Sequence, residues 1–241
     1  AIQDKGHEIR TFMPKFGNIN ERRNQLHEVI RLSGMNLIID DSDHSLIIKV
    51  ASIQSARMQV YFIDNDDFFQ NRETLVDENG VEYDDNDERS IFFIRGVLET
   101  IKKLRWVPDV IHCHGWFTAL APIYIKKGYK DDPCIKNAKV IYSVYDENFE
   151  KPFNEGFAGK LRFDTIGDKE IEDVKKRGKM DFVNLTKLAI DYSDGIIQGS
   201  ENIHKEVDRY INDKKIPYLD YVADFETNAE RIEEFCDKID A

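Results

Sequence analysis

The chain has 241 residues, 41% of them hydrophobic and 11% aromatic, which is enough for the core of an α/β domain. Its formal net charge is −12, with 46 Asp and Glu against 34 Lys and Arg, the reverse of the balance that a nucleic-acid-binding surface needs. Cys113, Cys134 and Cys236 are odd in number and far apart, which argues against a disulfide framework and for a reducing, cytoplasmic setting; no apolar run is long enough to span a membrane and no secretory leader is visible.

The opening "AIQDKG" reads as the last turn of a helix stopped by Gly6, which implies an earlier segment, and "HEIRTFMP" reads as a strand closed by Pro14. "LHEVIRL", "NLIID", "SLIIKVASI" and "RMQVYFID" are short β-rich runs separated by turn residues, the pattern of an inserted β meander. The acidic stretch "DNDDFFQNRETLVDENGVEYDDNDE" reads as a long, solvated surface loop with an Asn-Gly turn.

From Ser90 the pattern becomes regular. "SIFFIRGVLETIKKL" has apolar residues at helical spacing behind a Ser90 cap. "PDVIHCH" is a strand, and "FTALAPIYIKKG" a helix with Pro122 near its first turns and Gly128 at its end. "AKVIYSVY" is a strand. "DKEIEDVKKRGKMDFVNLTKLAIDYS" is helical with a break at Gly178. "DGIIQGS" is a strand and "ENIHKEVDRYI" a helix. Residues 224–241 form a last helix with Ala229, Ile232, Phe235, Cys236 and Ile239 on one face, an apolar stripe that needs a partner. Alternation of strand and helix predicts a doubly wound, Rossmann-like, mostly parallel sheet, treated as a single domain over 1–241. Ligands of such sheets bind at the carboxyl ends of the strands, where His114, Tyr145 and Ser200 fall.

Two histidines two residues apart invite a metal or catalytic reading. Alternate strand residues point the same way, so His112 and His114 share one face and Cys113 takes the other. Zinc needs at least three protein ligands, and His7, His27, His44 and His204 are scattered, so no metal site is expected. One buried, hydrogen-bonded histidine and one at a crevice fit the pattern better, with Cys113 a small buried hydrophobe. "DEN" at 146–148 offers carboxylates, but spacing alone fixes no acid–base pair.

Five segments carry a family resemblance in order and in approximate spacing: "GHEIRTFMPKFG", "QVYFIDNDDFF", "PDVIHCHGWFTALAPIYIK", "KVIYSVYDENFE" and "VNLTKLAIDYSDGIIQGS". Together they resemble the N-terminal half of bacterial glycogen synthases and plant starch synthases, most strongly over 6–204. That resemblance implies one half of a GT-B fold, in which two Rossmann-like domains face each other across a cleft. It implies transfer of glucose from ADP-glucose or UDP-glucose to an α-1,4-glucan, with no other cofactor. The half resembled here presents the acceptor; the other holds most of the donor, whose departing diphosphate needs fixed positive groups and amide donors.

No second alternating set follows Ile211, so the resemblance leaves the donor half unmatched. The family pattern His-x-His-Asp-Trp-His reads "HCHGWF" here, with Gly115 for the aspartate and Phe117 for the last histidine. Thr-Val-His-Asn becomes "SVYD", which puts Tyr145 and Asp146 at the histidine and asparagine positions. Ser200 stays where Val-Ser-Pro is otherwise lost. These changes predict a degenerate active site. By resemblance His114, Trp116, Tyr145, Asn184, Lys187 and Ser200 bind substrate. The expected partners are an α-glucan or maltooligosaccharide, with a donor domain on another chain, a glycogen enzyme or a second copy of this chain; a non-catalytic glucan-binding or scaffold protein is the other function considered.

Overall fold

In the computed structural model, which describes residues 2–241, the chain divides into two compact units. One comprises Gln3–Arg105, the other Trp106–Ala241 together with Ile2.

The first unit opens with a 3-10 turn, Gln3–Lys5, stopped by Gly6 at φ +97°, a left-handed conformation in which glycine carries no Cβ penalty. β1 (Thr11–Pro14) pairs in parallel with β5 (Met58–Asp64). Between them lie β2 (His27–Glu28), β3 (Met35–Ile39) and β4 (Ser42–Ile53), all antiparallel to their neighbours: this is the inserted meander. The sheet order is β1-β5-β4-β2, with β3 also paired on β4. Along β4 burial alternates, burying Leu46, Ile48 and Val50 as a half-covered antiparallel strand should. At its centre α1 (Asn86–Leu104) crosses so closely that a Cβ on Gly96 would lie 2.8 Å from Ile63 and 3.0 Å from Leu46. Lys15, Glu21, Lys49 and Asp64 form a chain of ion pairs: Lys15–Glu21 at 3.2 Å, Lys49–Glu21 at 2.6 Å and Lys49–Asp64 at 2.8 Å.

Two expectations are corrected here. The acidic stretch is not solvated throughout. A π-helical turn, Asp66–Gln70, capped by the Asn65 side chain, buries Phe68 and Phe69 against Phe92. Nor does α1 start at Ser90, which lies buried one turn inside it. The cause is Arg89, fully buried, whose guanidinium donates to Phe68 O, Asn86 Oδ1 and Thr74 O and so ties the acidic stretch to the first turn of the helix. Burial lowers the Arg89 pKa to about 10, which leaves it charged at neutral pH.

The second unit holds a four-stranded parallel sheet in the order β6-β7-β8-β9: Val110–His114, Lys139–Val144, Gly195–Gln198 and Tyr218–Leu219. β9 has no counterpart among the expected elements. A 3-10 turn (Trp116–Thr118) follows β6 and leads to α2 (Ala121–Ile123), which continues as a π turn, Tyr124–Gly128, with Pro122 in its first turn. After β7 come α3 (Phe157–Lys160), α4 (Asp168–Lys175) and α5 (Phe182–Asp191), the last two separated at Gly178, φ +80°, as expected. α6 (Lys205–Lys214) joins β8 to β9, and α7 (Phe225–Asp240) ends the chain.

Helices cover both faces of this sheet. Tyr142 meets Thr186 of α5 on one face. On the other, Ile141 and Ile197 pack against Phe235 of α7, flanked by Ile232, Cys236 and Ile239: the apolar stripe finds its partner in the sheet. Gly195 makes that approach close, since a Cβ there would sit 2.9 Å from the Phe235 ring. Among the named strands of the described residues the parallel pairings are β1–β5, β6–β7, β7–β8 and β8–β9, and the antiparallel ones involve β4 with β2, β3 and β5.

Candidate functional site

The carboxyl ends of β6, β7 and β8 lie side by side, and their side chains form a ladder. His112 sits beside Ile141 and His114 beside Ser143 in the backbone pairing. Each β6 residue leans forward to the residue two further along β7, on the same face. His112 Nε2 and Ser143 Oγ share a hydrogen bond of 2.7 Å. His114 Nδ1 and Tyr145 Oη share another of 2.7 Å. Beyond the strand ends, the Trp116 N–H donates to Glu147 Oε1 at 2.6 Å.

The two histidines share a face as the alternation requires, with ring centroids 3.9 Å apart. Burial, and then the neighbouring His114, hold the His112 pKa well below 6.5. Burial also lowers that of His114, so both imidazoles are neutral at pH 7. Cys113, on the opposite face, is buried, and its thiol is pushed up to about 12, beyond the range of a reactive thiolate.

Tyr145 lies over Gly199. A Cβ on Gly199 would fall 2.7 Å from Tyr145 Cδ1 and 2.8 Å from Cζ, so the close approach needs glycine. Burial raises the Tyr145 phenol pKa, and the Ser143 hydroxyl partly opposes that shift. The next residue is fixed in turn, since the Asp146 N–H donates to Ser200 Oγ at 2.9 Å.

Gly115 has φ +75° and ψ 174°, a region open essentially to glycine alone. A Cβ there would lie 2.9 Å from Glu147 Oε1 and 3.2 Å from Oε2. The Glu147 carboxylate therefore fills the space over position 115. Its pKa is raised by burial, with the Trp116 N–H pulling the other way.

An open cavity of about 650 Å³ lies beside this ladder, lined by Asp146, Glu147, Asn148, Ile203, His204, Lys205 and Glu206. It sits where a parallel sheet presents its ligands, at the strand ends and the start of a following helix. Three carboxylates, an amide, an imidazole and the Lys205 ammonium over an apolar Ile203 make a lining that can hydrogen-bond a hydroxyl-rich ligand.

The expected site residues divide into two groups. His114, Gly115, Tyr145, Asp146 and Ser200 come together at the strand ends. Trp116 and Phe117 are buried, the Trp116 ring packing on Phe117, Phe149 and Phe153. Asn184 Nδ2 donates to Arg177 O and Lys179 O, closing the turn between α4 and α5. Lys187 lies 3.7 Å from Glu206 and over the Tyr210 ring, one residue removed from the cavity wall. Glu147, Ser143, Gly199 and His204 were not among the expected residues. Only the "DEN" carboxylates gave a signal, and the partner that fixes Glu147 is a backbone N–H, which leaves no trace in a sequence.

Residues 1–213 match the family described as the starch synthase catalytic domain. A glycogen synthase of Chlorobium limicola is 37% identical over 147 residues, 61% of this chain and 30% of that protein. One of Chlorobium luteolum is 30% identical over 213 residues, 86% of this chain and 42% of that protein. The chain thus spans less than half the length of these relatives. Among solved structures, the catalytic domain of starch synthase IV from Arabidopsis thaliana, bound to ADP and acarbose, superposes with a TM-score of 0.73 at 19% identity. The match covers 95% of this chain and 47% of that one, a likeness of fold that gives this chain one half of the GT-B architecture.

Proposed function

The chain belongs to the starch synthase catalytic domain family, and from that premise we propose that it is the acceptor-side half of a glucosyltransferase, binding an α-1,4-glucan so that its non-reducing end can meet a nucleotide-glucose. The observation that carries this reading is the polar cavity at the ends of β7 and β8, continuous in sequence with the His114–Tyr145 rim through Asp146 and Glu147. Its carboxylates accept hydrogen bonds from sugar hydroxyls, and the wall presents only one positive side chain, Lys205, too few to hold a diphosphate. Nucleotide-glucose, ADP- or UDP-linked, is therefore assigned to a donor-binding domain, in cis or on a partner chain, and no other cofactor enters. The reducing cytoplasm suits three free cysteines.

The 241 residues alone are proposed to bind glucan without transferring glucose. Gly115, Phe117, Tyr145 and Asp146 replace polar groups of the family pattern, and losing a single preorganised donor costs about 10²–10³ in rate. The same substitutions favour a second reading, a non-catalytic glucan-binding or scaffold protein of glycogen metabolism.

Calorimetry separates these outcomes. The chain should give a binding signal with maltoheptaose and none with ADP-glucose or UDP-glucose. A nucleotide signal would assign donor binding to this half. No signal with maltoheptaose would reject the glucan reading. Glucose transfer by the chain mixed with donor-binding candidates would choose the enzyme over the scaffold.

A further inference from the structure

We propose that the carboxylate of Glu147, in the loop after β7, binds the acceptor glucan from the space over Gly115, a position where the family pattern has an aspartate. The inference rests on the glucan reading above and names a residue for it. Three observations meet on this side chain. The Gly115 backbone occupies a glycine-only region, and the Glu147 carboxylate stands 2.9 Å from where a Cβ would be. The space left by the missing aspartate is thus filled by another carboxylate, delivered from the neighbouring strand.

Second, that carboxylate is fixed. Oε1 accepts the N–H of Trp116, the first residue of the 3-10 turn, at 2.6 Å, and the Glu147 N–H donates to Tyr145 O at 3.0 Å. A charge-assisted bond to a helix-opening N–H holds the group without need of a basic partner. Third, Glu147 lines the cavity. With one oxygen committed to Trp116, the other has acceptor capacity for a ligand hydroxyl.

The charged and titratable groups around Glu147 are Tyr142 from β7, Tyr145 and Asp146 from the residues that follow it, His114 at the end of β6, bonded to Tyr145, and His204, Lys205 and Glu206 at the start of α6; the turn after β6 adds Gly115 and the Trp116 N–H. Burial raises the Glu147 pKa above 4.5, so its protonation begins at a higher pH than that of an ordinary glutamate. Glucan affinity carried by this carboxylate falls as the pH is lowered through that range.

The test uses the full chain and maltoheptaose, by calorimetry from pH 7.5 down to pH 5, on the wild type and Glu147→Gln. Glutamine keeps an oxygen for the Trp116 N–H, so the turn is preserved and only the charge is removed. Melting temperature monitors the fold. The expected result is affinity at least tenfold weaker at pH 7.5 with an unchanged melting temperature, and a shallower fall of affinity with decreasing pH than in the wild type. A Gln variant that binds as tightly as the wild type, with the same pH profile, overturns the proposal and leaves the glucan reading intact. A wild type that does not bind maltoheptaose overturns both.

Discussion

His114 Nδ1 and Tyr145 Oη, on neighbouring strand ends, are 2.7 Å apart, and the bond between them is held from both sides. The His114 ring packs, tilted, on His112, which is tied to Ser143, while the Tyr145 ring rests on Gly199 at the end of β8. Three strands thus contribute to one polar contact, and each member of the rim is held by a group on the next strand. Preorganisation of this kind reduces the ordering cost of binding a flexible ligand.

Gly199→Ala tests that arrangement. The added methyl would fall within 2.8 Å of the Tyr145 ring and must displace it. Crowding of this kind costs about 1–3 kcal/mol. Urea unfolding should show that loss in the wild-type background and almost none in Tyr145→Ala, because the clash is with the ring itself. Equal losses in both backgrounds would place the strain elsewhere.

The buried histidines predict a pH dependence of stability. Unfolded, each imidazole takes up its proton near pH 6.5; folded, His112 and His114 do so only at lower pH. Below 6.5 the unfolded chain therefore binds more protons, and stability falls as pH falls. Glu147, whose carboxyl is held above 4.5, works in the opposite sense further down the scale. The melting temperature should drop between pH 7 and pH 5.5 in the wild type, and drop less in His112→Gln, which can still bond to Ser143. An undiminished slope in that variant would remove His112 from the account.

Most of the second unit could be read from the chain, because its signals are local. The break at Gly178 follows from a residue free to take φ +80°, and the apolar face of α7 follows from spacing alone. The same is true of the shared face of His112 and His114. What escaped depends on long-range contacts. The true start of α1 is set by Arg89, whose partners Phe68 and Thr74 lie in the preceding acidic stretch. β9 is only two residues long and exists because β8 offers an edge. Glu147 is tied to the site by its approach to Gly115 and by the Trp116 N–H, neither of which leaves a local sequence signal. The family resemblance predicts a missing aspartate at Gly115, and the Glu147 carboxylate stands 2.9 Å from where a Cβ there would be.

His44 in the first unit predicts a stabilising substitution. Its ring is buried against Phe68, with centroids 4.4 Å apart, and neither ring nitrogen has a hydrogen-bond partner among the described residues. A buried polar group without a partner costs about 1–3 kcal/mol, which a similar apolar side chain avoids. His44→Leu should raise stability by about 1 kcal/mol in chemical denaturation. A destabilised variant would show that the imidazole is satisfied in solution.

The seating of α7 on the second sheet gives the last prediction. Phe235 packs on Ile141 and Ile197, with its ring over Gly195, and only 8% of the residue remains exposed. Removing a buried phenylalanine ring costs about 3–5 kcal/mol when the surroundings cannot collapse into the gap, and a β-sheet face backed by α5 has little freedom to do so. Phe225, at the start of the same helix, is 78% exposed, and truncating it should change stability by less than about 0.5 kcal/mol. Comparing Phe235→Ala with Phe225→Ala by urea denaturation therefore separates burial from helix propensity, since both replace phenylalanine by alanine in one helix. Similar small effects in the two variants would mean that α7 does not hold this face of the sheet in solution, and that Ile141 and Ile197 are covered by something else.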